Sequence, residues 1–357
     1  MNKTNRWTNR WNLLSRSLVF TLVMLTLSAC QLPGQQPPTP TPAPTAPVQP
    51  SPPPSNEPLA SADNPLLLAL VTEPVDLENE SGGGDLSAAS AELAQTLADQ
   101  SGYSVESVDF TNYADLIRAL DRREVHIAWL PPLTYLRAAQ LGAARAALLS
   151  NNFGVYSYGA QIIANVNTNL EPFYDPAAGA NTDTDETIFD QLRGLRPCWV
   201  SLDSPSGYIL PAGAIAKTGV QLQPGAVLQS HTAVIRALYV KDICDFGATF
   251  AISGDPRTAS NVQDLPYLMD QIQVIWRSDP VIPNLNLSYI PEMPQEIAQN
   301  LNSALITLAK TPDGQDLLTR ANQYDIQGLR EANDSDYDAL KDAVKELGID
   351  LKTTLGR

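Results

Sequence analysis

The sequence predicts an α/β fold of two lobes, each a mainly parallel sheet flanked by helices, with a ligand cleft between them. Three observations lead there. From residue 65, short apolar runs alternate with stretches of helical periodicity. The same rhythm restarts after about residue 163. A chain of 357 residues is also too long for one small core.

The elements follow in order. Residues 65–71 are continuously apolar and read as a buried strand. Leu86, Ala89, Leu93, Ala94 and Leu97 share one helical face, and Gly102 suits the end of that helix. Residues 103–110 alternate like a half-buried strand. A short helix follows, capped by Thr111 or Asn112, then a buried strand at 126–130 and a helix at 132–142. In the second series, strands are expected at 197–202, 226–230, 244–253 and 272–278, with helices at 207–219 and 231–241. Residues 285–290 return the chain to the first lobe, and only helices are expected afterwards. One carries the stripe Ile297, Leu301, Leu305 and Leu308. Residues 169–188 are polar and turn-rich and read as an insertion or mobile loop. The expected division is 61–162 with 284–357 in lobe 1, and 163–283 in lobe 2.

The N-terminus is a targeting segment. Lys3, Arg6, Arg10 and Arg16 precede a short apolar stretch at 17–27, which is too short to span a bilayer. It ends in Leu27-Ser28-Ala29-Cys30, which resembles a bacterial lipobox. Residues 1–29 are thus expected to be a lipoprotein signal peptide, with Cys30 as the lipidated residue. The Pro-rich stretch 30–60 cannot pack a core and reads as an extended tether. The mature protein is then expected outside the cytoplasm, anchored by lipid. Cys198 and Cys244 remain, each near the start of an apolar run. In an oxidising compartment they are expected to pair; two buried free thiols are the alternative.

A net charge of −16 argues against nucleic-acid binding. It leaves room for a small anion, because local dipoles bind anions inside acidic proteins. Only two histidines, His126 and His231, are present. Zincin, nucleophile-elbow, P-loop and dinucleotide-binding motifs are missing, so no cofactor, metal or catalytic residue is assigned. Four helix starts follow strand ends: Asn112-Tyr113, Leu133-Thr134-Tyr135, Ser204 to Gly207, and Ser230-His231. Open N–H groups and the helix dipole favour an anion at such places. Each alone reads first as an ordinary cap with packing; together, in matching positions of two lobes, they suggest a cleft.

Residues 112–138, the Ser204-Pro205-Ser206-Gly207 stretch, residues 229–250, and the late features 278–286 and 335–341 together resemble the substrate-binding proteins of phosphate, phosphite and phosphonate ABC transporters. The resemblance covers residues 65–348. It implies a type II periplasmic-binding-protein fold that closes over a small oxyanion and presents it to a membrane permease. It also implies a ligand set. Ser204, Ser206 and Gly207 would hold the phosphorus-bound oxygens, with His231 at the next helix start. Asp245 would select a protonated or amino-bearing ligand, and Tyr113, Thr134 and Tyr135 would close the site from the first lobe. Pro205 stands where a hydroxyl residue is usual, and Pro131 where a glycine is usual. With Pro211 close by, the cap of the 205–217 helix is either Ser204 or Ser206. Alternatives are a ligand-sensing lipoprotein of the same fold, a degenerate binder of a non-phosphorus ligand, and a hydrolase using His231 and Asp245.

Overall fold

The computed structural model describes residues 58–72, 86–240 and 243–351. The signal peptide, Cys30 and most of the tether lie outside these residues. The first series runs β1 (Leu66–Val71), α1 (Leu86–Ser101), β2 (Val105–Phe110), α2 (Tyr113–Asp121), β3 (Ile127–Leu130), α3 (Pro132–Gln140) and β4 (Arg145–Asn151). The second runs β5 (Ser157–Asn165), β6 (Tyr174–Asp175), β7 (Ala180–Asn181), α4 (Asp185–Asp190), β8 (Pro197–Trp199), α5 (Leu210–Lys217), β9 (Ala226–Val227), α6 (His231–Val240), β10 (Phe246–Ala251), α7 (Leu268–Gln271), β11 (Ile272–Arg277) and β12 (Ile282–Pro283). The chain ends with β13 (Asn286–Tyr289), α8 (Gln295–Leu308), α9 (Pro312–Asn322), β14 (Gly328–Glu331) and α10 (Asp338–Glu346).

Two large sheets result, ordered β14-β4-β13-β3-β1-β2 and β11-β5-β10-β8-β9. The parallel pairing expected of each lobe covers only part of its sheet. β1 pairs in parallel with β2 and β3, and β8 in parallel with β9 and β10. The remaining pairs are antiparallel, and the crossings explain why. β5 enters the second sheet directly from β4, at the C-terminal end of β10, where Gly159 faces Ala251. β13 returns from β12 at the C-terminal end of β3, where Asn286 faces Leu130. A strand that enters at its neighbour's C-terminal end must run antiparallel to it.

β5 corrects the expected boundary at 162/163: the chain already pairs in the second sheet from Ser157. The two crossings run side by side, with the Asn284 N–H donating to the Tyr156 carbonyl at 3.1 Å. A third crossing follows β14, since α10 packs on α5. This places the last helix on the second lobe, although residues 284–357 were expected in the first. β14 itself corrects the expectation of helices only near the C-terminus; it pairs with β4. The 169–188 stretch folds into the β6–β7 hairpin and the start of α4, and Asn181 exchanges two hydrogen bonds with the backbone of Arg277.

The helical periodicities are realised where the apolar stripes predict. α1 buries Ala89, Leu93, Ala94 and Leu97, and Gly102 beyond it takes φ +76°, which a residue without Cβ adopts freely. α8 buries Ile297, Leu301, Leu305 and Leu308. Asn112 caps α2, its side chain accepting from the Asp115 N–H at 2.9 Å. A second, smaller core under α6 gathers Ile163, Cys198, Val234, Ile235, Leu238 and Ile272. Cys198 and Cys244 form a disulfide there, with Cα atoms 5.6 Å apart. It ties the beginnings of β8 and β10, where Gly247 faces Cys198.

Candidate functional site

The C-terminal ends of β8, β9 and β10 feed three loops, and the first is built around Ser204. Its Oγ accepts from the Gly207 N–H at 3.0 Å, so Ser204 rather than Ser206 is the cap. Pro211 has no N–H to offer the Gly207 carbonyl four residues back. That carbonyl accepts instead from the Val200 N–H at 3.2 Å, which closes the loop. The chain absorbs the proline as a π turn over Pro205–Ile209, with the Ile209 N–H donating to the Ser204 carbonyl at 2.9 Å.

This geometry limits what the loop can give a ligand. The Gly207 amide is spent on the cap, and Pro205 has none. The Ser206 amide and the Ser206 and Ser204 hydroxyls remain as donors. Ser206 is buried at 2% exposure. Gly207 is required by packing: a Cβ there would lie 2.5 Å from Val200 Cβ and 2.7 Å from Ser204 Oγ.

His231 opens α6, whose cap is Ser230, accepting from the Ala233 N–H at 3.0 Å. The Phe250 N–H donates to His231 Nδ1 at 3.3 Å, and the Phe250 ring stands edge-on at 4.8 Å. An Nδ1 that accepts carries no proton, so the neutral ring is an Nε2–H donor. The site residues of the second lobe are therefore neutral hydrogen-bond donors set at strand ends, an arrangement suited to an oxyanion.

In the first lobe, Tyr113 opens α2 half-buried and packs on the core. Pro131 and Pro132 start α3, leaving the Leu133 and Thr134 amides as its open donors, since the Tyr135 N–H already binds the Pro131 carbonyl at 2.9 Å. Thr134 is 7% exposed. Tyr135 takes a packing role. It is buried, its ring centroid lies 4.3 Å from that of Tyr337, and burial pushes its phenol up while a backbone hydrogen bond from Ala146 pulls the other way.

Asp245 does not join this group. It precedes β10, at the end of the strand away from His231. Its Oδ2 accepts from the Arg196 N–H at 2.7 Å, and its own N–H returns a bond to the Arg196 carbonyl at 2.8 Å. It lines a shallow pocket of about 530 Å³ with Arg196, Gln223 and Asn165, at the opposite end of the sheet from the loops above. Parallel strands put their loop-bearing ends at the C-terminus, so a residue starting a strand cannot serve a site at its finish.

Sequence reasoning passed over a polar row in the second sheet. Arg277 donates to Gln161 Oε1 at 2.8 Å and to the Tyr174 hydroxyl at 2.9 Å, and Gln161 donates to Thr249 Oγ1 at 3.3 Å. Beside it, Arg257 holds Asp255 at 2.6 Å in a mostly buried pair. Burial pushes the Asp255 carboxyl up, but the Arg257 hydrogen bonds and charge outweigh it and hold it below the ordinary range. A glutamine inside the apolar run 159–164 was the available signal.

Residues 83–337 match the family described as ABC transporter, phosphonate, periplasmic substrate-binding protein. The chain belongs to this family. Phosphonate-transporter binding proteins work outside the cytoplasm, and the fold of this member is of their two-lobed type II kind. The Xanthomonas citri protein XAC2383 bound to chloride ion has a similar fold, with a TM-score of 0.57 and 16% identity over 79% of this chain and 97% of that one. PhnD1 from Prochlorococcus marinus in complex with methylphosphonate matches with a TM-score of 0.51 and 14% identity, over 79% of this chain and 98% of that one. No curated sequence matches this chain. Among the described residues, no helix is long and apolar enough to cross a membrane.

Proposed function

We propose that this binding protein is a lipid-anchored receptor that captures a small phosphorus oxyanion (phosphonate, phosphite or phosphate) between its lobes and delivers it to an ABC permease. Ser204, Ser206 and His231 hold the ligand from the second lobe, and Thr134 and Tyr113 close on it from the first. Gly207 keeps the turn compact. Cys30 carries the lipid, and residues 30–60 tether the folded part. It acts by binding and release, without chemistry on the ligand. The observation that carries this reading is the Ser204–Ile209 turn, which sets the Ser206 amide and two hydroxyls at the C-terminal end of β8, while His231 opens the helix that follows β9. Neutral donors fixed in advance reward an oxyanion, because a ligand that cannot accept from them leaves them unpaired. Lobe closure then shifts a two-state equilibrium by the ligand's differential affinity.

The test is a thermal-unfolding series with phosphate, phosphite, methylphosphonate, 2-aminoethylphosphonate and sulfate. At 100 times its dissociation constant a ligand adds about 2.7 kcal/mol. A rise in Tm with one phosphorus anion and none with sulfate is expected. No rise with any phosphorus anion would overturn the proposal.

A further inference from the structure

The third crossing of the chain brings a side chain to the lobe junction that no sequence reading assigned to the site. Tyr337 ends a 3-10 turn, Asp334–Tyr337, and leads into α10. The turn lies against β12, and α10 packs on α5 and on the Pro205–Ile209 turn. The Tyr337 ring stacks at 4.3 Å on Tyr135, the residue after Thr134. Tyr337 therefore stands against the residue that follows Thr134, and the helix it leads into packs on the second-lobe turn.

Its hydrogen bonding is incomplete. The side chain is 0% exposed, and its hydroxyl has no hydrogen-bond partner. A buried hydroxyl without a partner destabilises the state that contains it, and such a group calls for a partner not yet present. Tyr135, its neighbour, has the Ala146 backbone. Burial, with the nearby Tyr135 and Asp336 adding to it, pushes the Tyr337 phenol well up, so it stays an O–H donor.

We infer that Tyr337 is a specificity-determining residue of the ligand site, its hydroxyl donating to an oxygen of the bound anion when the lobes close. This rests on the oxyanion-receptor reading above. It makes the C-terminal segment a third contributor to the site, besides the strand-end loops of the two lobes. It also predicts a trade between stability and binding: the hydroxyl is a liability in the free protein and an asset in the complex.

The experiment uses the whole protein and its Tyr337→Phe variant, which keeps the ring and removes only the oxygen. Titration calorimetry with methylphosphonate, phosphite and phosphate gives affinity, and thermal unfolding without ligand gives stability. The expected result is a dissociation constant raised tenfold or more, with the free variant melting at or above the parent. A parent that binds with a variant within twofold of it would overturn the inference and leave the receptor reading intact. A free variant that melts clearly below the parent would also overturn it, by revealing an internal partner for the hydroxyl. A parent that binds none of the three anions would remove the receptor reading and this inference together.

Discussion

Asp245 and His231 stand at opposite ends of β10. Asp245 leads into the strand and binds the Arg196 backbone, while His231 accepts from the N–H of Phe250, next to its last residue. A six-residue strand is about 17 Å long. No small anion reaches both.

Replacing Asp245 with Ala is therefore expected to act on stability alone. Losing the bond to the Arg196 N–H should cost about 1 kcal/mol, because the bond is exposed to solvent. Thermal unfolding and methylphosphonate titration check this. A tenfold change in affinity would return Asp245 to the ligand site.

Gly207→Ala should be severe for so small a change. The added methyl meets Val200 at 2.5 Å and the capping Ser204 hydroxyl at 2.7 Å, so either the strand end or the cap must move. Overpacking of this kind costs about 1–3 kcal/mol, and Ser206 moves with the turn. The expected outcome is a lower melting temperature together with weaker anion binding. A variant that melts like the parent would show that the turn yields without strain.

Opening the disulfide tests what holds the second lobe. Cys198 and Cys244 are 46 residues apart. The chain-entropy argument assigns about 4 kcal/mol to a loop of that length. The double Cys198→Ser, Cys244→Ser variant should thus unfold at a much lower urea midpoint. The bridge lies at the far end of β10 from His231, so the anion affinity of the still-folded variant should change little. An unchanged urea midpoint would mean that the reduced lobe loses nothing.

His126 should make stability fall on acidification. Its Nδ1 accepts from the Leu67 N–H at 2.9 Å, joining β3 to β1, and burial pushes its pKa below the usual 6.5. Between that lowered value and 6.5 the unfolded chain carries more protons than the folded one. The contribution is complete above about pH 6.5 and is lost as pH drops below it. Melting curves from pH 7.5 to 5 should show the parent losing more than His126→Gln. Parallel curves for the two proteins would sink this account.

The legible part of the protein was its local periodicity. The stripes of α1 and α8, the buried run of β1 and the cap at Asn112 needed no distant partner, because helix faces and strand interiors are written at fixed spacing. β4 and β5 were passed over although both are largely buried, since their partners arrive over 80 residues later. β14 escaped for the same reason: its four residues make a strand only by pairing with β4.

The candidate site divides along the same line. Ser204, Ser206, Gly207 and His231 were recognisable because each follows a strand and opens a helix, and short-range chemistry places them at one edge of a sheet. Sequence alone therefore determined the α/β class, the two series of elements, the membership of a transport family and the place of the candidate turn at Ser204–Gly207. Tertiary structure decided the rest. Strand direction set Asp245 apart from the residues with which the family resemblance grouped it. The proline at 211 turned a regular helix start into a π turn. A third crossing brought Tyr337 against Tyr135, 202 residues away in the chain. Such relations depend on which strand end a loop occupies and which buried polar atom finds a partner, and these are fixed only when distant segments pack together.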